Sequence, residues 1–126
     1  MKQFNSVVLG VALLLGPLTA FGRAQDPLQV APSMYKLVFE NDRVRVMEFV
    51  IKPGQKIGMH SHPDHFGYVM KSGKVKISKP DGTSMVADLK TGTVLWLNAE
   101  THQGENVGKT TVKLLVTELK SGGKAP

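Results

Sequence analysis

Beyond Gln25, apolar and polar residues alternate in short runs separated by turn residues, and no stretch holds a helical period. Val75 and Ile77 alternate with Lys74 and Lys76, and Val44 and Val46 with Arg43 and Arg45, as in strands with one wet face. Strands are predicted at Tyr35–Phe39, Arg43–Ile51, Ile57–His62, Phe66–Lys71, Lys74–Lys79, Thr83–Leu89, Val94–Leu97 and Thr110–Leu119. Lys52-Pro53-Gly54, Ser72-Gly73, Pro80-Asp81-Gly82 and Lys90-Thr91-Gly92 break the runs: proline removes a ladder donor and glycine accepts turn geometry. Eight short strands with hairpin links, and no helix to cover an open sheet, predict one all-β domain closed as a jelly-roll β-barrel.

The first residues have a different pattern. Lys2 precedes an apolar run from Val7 to Leu15, and Gly22 and Ala24 are spaced as a cleavage site before Gln25. That is the layout of a secretory signal peptide. Gly16 and Pro17 stop the run short of the roughly 20 apolar residues that a membrane span requires. The expected organisation is a signal peptide over 1–24, an N-terminal segment with the first strand over 25–40, a β-barrel over 41–119 and a flexible tail over 120–126. The expected location is periplasmic or secreted.

The chain of 126 residues has no cysteine, which excludes disulfides, thiolate metal sites and cysteine nucleophiles. Its formal net charge is +6, and losing Lys2 and Arg23 with the leader leaves +4. The remaining basic residues are scattered rather than clustered with aromatics, so no nucleic-acid surface is expected. There is no phosphate loop or nucleophile motif.

Three of the four histidines lie between positions 60 and 65. His60 and His62 are two apart on a predicted strand and leave the same face, so one ion could be shared between them. The alternative is a pair of exposed, hydrogen-bonded strand histidines. His102, some forty residues later, lies where an antiparallel strand returns beside the first. Three converging imidazoles form a centre with open coordination positions. His65, after Pro63, has the opposite parity to Phe66 and Tyr68 and reads as a rim or solvent group unless the turn is bulged. By parity with the histidines, Phe66, Tyr68 and Met70 would line the cavity, Met70 as plain core. Glu48 continues the phase of Val44 and Val46 and offers a carboxylate to the site; the alternative is a core-adjacent acid paired with a lysine or arginine. Trp96 is expected to fill the core or the mouth of the barrel.

Gly54, His60, His62 and Gly73 resemble the first motif of the cupin superfamily, and Gly92, His102 and Asn106 resemble the second. The resemblance spans roughly Val44 to Leu119. It implies a barrel of six to eight strands with a divalent metal on His60, His62 and His102: iron, zinc, nickel, copper or manganese. Two departures bear on function. Phe66 stands at the motif's glutamate, so the expected site is three histidines without an anion. Asn98 and Glu100 replace the motif's proline and glycine. The readings that remain open are a small-molecule dioxygenase or related metalloenzyme, a non-catalytic ligand- or metal-binding envelope module, and a metal-free barrel. A small-molecule ligand or substrate is the expected partner, and the resemblance also implies a homodimer.

Overall fold

The computed structural model describes residues 25–121. The leader over 1–24 and most of the tail lie outside the described residues. Among the described residues one short helix, α1 (Pro27–Val30), precedes nine strands. These are β1 (Tyr35–Glu40), β2 (Val44–Ile51), β3 (Lys56–His62), β4 (His65–Lys71) and β5 (Gly73–Ser78), followed by β6 (Ser84–Leu89), β7 (Val94–Leu97), β8 (Glu100–Asn106) and β9 (Val112–Leu119).

The strands form two antiparallel sheets, ordered β1-β2-β9-β4-β7 and β3-β8-β5-β6. No ladder joins one sheet to the other among the described residues, so the jelly roll closes by side-chain packing and not as a continuous barrel. Met47, Phe49 and Ile51 from β2, Val69 from β4, and Val112 and Val116 from β9 face Ile57, Val75, Ile77, Ala87 and Leu89 of the other sheet.

Two elements differ from the sequence expectation. Helix α1 forms because Asp26 caps it, accepting from Leu28 N at 2.9 Å, with Pro27 preset for the first turn. Strand β8 is not among the eight predicted ranges, although His102 is expected where a strand returns. Its sequence, ETHQGEN, has no β-branched alternation, and it is held by ladders to β3 and β5 on either side. Among the described residues no helix is long and apolar enough to cross a membrane.

The inward phase of two strands is the reverse of that expected. In β2 the buried row is Met47, Phe49 and Ile51, continued by half-buried Arg45, so Glu48 faces outward and its carboxylate meets Lys113 Nζ at 3.0 Å. An arginine in the inward row gave that row the look of the wet face. In β4 the buried residues are His65, Gly67 and Val69. Phe66 is half-buried, Tyr68 and Met70 are exposed, and none of the three lines the cavity. The cause is the link between the sheets: only Pro63 and Asp64 separate inward His62 from inward His65, so parity inverts on entering β4. Trp96 pairs with Phe66 on the outer face and is 51% exposed, in neither the core nor the cavity wall.

Candidate metal centre

His60 and His62 project from β3 into the space between the sheets, and His102 projects from β8 directly opposite His60 in the ladder. All three are buried, and one ligand atom from each lies within 4.8 Å of the others. The ring centroids of His60 and His102 are 4.6 Å apart, and those of His60 and His62 are 4.9 Å apart. His65 enters from the facing sheet: it is 4% exposed, and its ring stacks on His62 at 4.4 Å. The turn thus places it inward, where sequence reading left it at the rim.

Each imidazole is held through Nδ1. His60 Nδ1 meets the Gly58 carbonyl at 2.8 Å, and His65 Nδ1 meets the Pro63 carbonyl at 2.8 Å. His62 Nδ1 meets Glu118 Oε1 at 2.6 Å, and His102 Nδ1 meets Glu100 Oε1 at 2.5 Å. A carbonyl or carboxylate oxygen only accepts, so each Nδ1 donates and Nε2 is the nitrogen left for a metal. This is the outer-shell pattern that orients metal-binding histidines and raises their basicity. His60 Nε2 is buried with no hydrogen-bond partner among the described residues. A buried polar atom without a partner is costly, and a divalent ion would satisfy it. The donor set therefore fits a transition metal.

Burial holds the His60 pKa down to about 3 and that of His65 to about 4, and lowers that of His102. Charge on the neighbouring imidazoles acts in the same direction. These three histidines are therefore neutral at pH 7, the state a metal needs.

Sequence reading missed the acids and the phenol around the rings. Glu118, on β9 opposite His65 in the ladder, is 3% exposed. Its Oε2 accepts from Arg45 Nε at 2.7 Å, and Arg45 Nη1 reaches Asp26 at 2.6 Å. A buried carboxylate facing a histidine is thus balanced by an arginine that is also anchored to the cap of α1. Glu100, which departs from the motif's glycine, has become the partner of His102. Tyr35 stacks on Phe49 at 4.6 Å, with its ring 5.9 Å from His60. Burial raises the pKa of its phenol, so it stays protonated.

The histidines line a cavity of about 60 Å³, walled otherwise by apolar side chains, including Phe49, Ile57, Leu89, Leu97 and Val116, and by Tyr35. A water requires about 10–15 Å³ by such a measure, so this space suits a small ligand.

No family model and no curated protein sequence matches the chain. Solved structures do. A cupin domain from Bordetella pertussis Tohama I is 26% identical, with a TM-score of 0.64, over 70% of this chain and 93% of that one. An RmlC-like cupin family protein with a double-stranded β-helix fold, from Methanocaldococcus jannaschii, is 11% identical, with a TM-score of 0.57, over 68% and 78%. A predicted oxalate decarboxylase from Thermotoga maritima is 20% identical, with a TM-score of 0.52, over 68% and 78%. The last two show likeness of fold alone. Two facing antiparallel sheets, histidines at the motif positions and these structural matches together make the chain a member of the cupin superfamily.

Proposed function

We propose that this is a small exported metalloprotein with a mononuclear divalent transition-metal centre on His60, His62 and His102, acting on a small molecule as a dioxygenase or related metalloenzyme. The observation that carries the metal is the buried, unpartnered Nε2 of His60 within a cluster whose Nδ1 atoms are all engaged. The leader pattern supports export. When bound, the ion supplies a Lewis acid able to polarise a small oxygen-containing molecule. Glu118 and Glu100 hold the His62 and His102 rings in one orientation, and the small apolar cavity limits the ligand to a few atoms. Tyr35 keeps a proton-bearing phenol on the cavity wall, a donor for a polar ligand.

A second reading, a non-catalytic ligand- or metal-binding envelope module, is favoured by one feature. The described cavity wall carries no carboxylate, so only imidazoles and a phenol could move a proton.

The folded protein should purify with about one first-row divalent ion per chain, because the three donors converge on one point. The His60→Ala/His102→Ala variant should lose it. Elemental analysis after mild dialysis is the measurement, and equal metal content in the two proteins would overturn the reading.

A further inference from the structure

We propose that His65 is a fourth nitrogen donor, so that four imidazoles and no carboxylate hold the ion; this rests on the metal reading above. His65 opens β4 in the sheet facing β3 and β8, and its buried side chain shares the cavity wall with the other three. Its ring stacks on His62 with an interplanar angle of 25° and lies 6.2 Å from that of His102. Its Nδ1 donates to a backbone carbonyl two residues back, as His60 does, leaving its Nε2 lone pair free. The motif's acid position is occupied by Phe66, which lies outside the cavity wall, and one residue earlier the chain presents an imidazole instead. The next inward residues of β4 are Gly67 and Val69, so only His65 brings a polar group from this strand into the cavity. His65 stands outside the group of three whose ligand atoms converge, and from its place stacked on His62 it would reach an ion from the opposite sheet.

The consequence is a neutral donor set. The ion keeps its two positive charges towards the cavity, and the compensating carboxylates, Glu118 and Glu100, sit one hydrogen bond further out. Four imidazoles select zinc, copper, nickel or iron over magnesium and calcium. The remaining coordination positions then suit a small anion.

The chain has four histidines, so a proton–nitrogen correlation spectrum of the folded protein with isotope-labelled histidine counts donors residue by residue. At one equivalent of zinc, all four Nε2 resonances should move to metal-bound values. Movement of three, with His65 unmoved, overturns the fourth donor and keeps the metal reading. Movement of none overturns both. The His65→Gln variant should lose zinc affinity by at least about tenfold, the cost already seen when an outer-shell partner is removed. Unchanged affinity in a folded variant overturns the proposal. Should that variant not fold, the wild-type spectrum decides alone.

Discussion

Each of the four imidazoles is fixed through the nitrogen it does not offer to the cavity, and that arrangement governs how the metal-free protein responds to acid. Burial holds His60 near a pKa of 3 and His65 near 4, against 6.5 for a free imidazole. The unfolded chain therefore binds more protons below pH 6.5, and stability falls as pH drops, down to about pH 3. Well above pH 6.5, where the unfolded imidazoles are neutral as well, these two residues contribute no slope. They should together remove about 2 kcal/mol of metal-free stability between pH 6 and pH 5, read as a shift in the urea midpoint. Little of this was legible in the sequence beyond the H-x-H pair and His102. Glu118 lies fifty-six positions from His62, and no local pattern marks it. Only the ladder between β4 and β9 sets it beside His65. Arg45 disguised the inward row, because a charge that is matched by Asp26 and Glu118 looks like a surface charge until its partners are known.

At the scale of strands, the alternation located all but one of them and misassigned the phase of two. The wet face of β5 was legible because Lys74 and Lys76 are unambiguous against buried Val75 and Ile77. In β4, His-Phe-Gly-Tyr-Val-Met offers large apolar residues at the even positions and small or polar ones at the odd. The pattern favoured Phe66 and Tyr68, while the Pro63-Asp64 crossing between sheets placed the odd row inside. A one-residue change of phase moves a whole strand to the other face. Phe66→Glu should therefore leave zinc affinity within about twofold, because the new acid joins the outer face beside Trp96 and Thr117. Competition titration against a chelator measures this, and marked tightening would mean that position 66 turns inward. The motif residues also have separate physical reasons. Gly54 and Gly92 adopt φ of 79° and 86° at turns, a region other residues rarely enter. A Cβ on Gly73 would meet Val112 Cγ2 at 2.5 Å. Asn106 donates to the Ile51 and Thr110 carbonyls and fastens the end of β8, without touching the cavity.

For the whole molecule, the two sheets make different contributions to one centre. The sheet of β3 and β8 supplies His60, His62 and His102, whereas the sheet of β4 and β9 supplies His65 and Glu118. The centre therefore ties together two layers that share no ladder among the described residues, and an ion bound there adds stability that grows with the logarithm of its concentration over its dissociation constant. The outer face carries exposed Tyr68, Met70, Val94 and Trp96. Trp96 is the chain's one tryptophan, and it stands across the sheet from the histidines with its Nε1 on Asn98 at 3.0 Å. Its fluorescence should be that of a hydrated indole and should hold its wavelength as zinc fills the cavity. A blue shift that grows with protein concentration would instead show a second surface settling over this face. One naturally placed fluorophore thus distinguishes events on the outside of the protein from events at its centre.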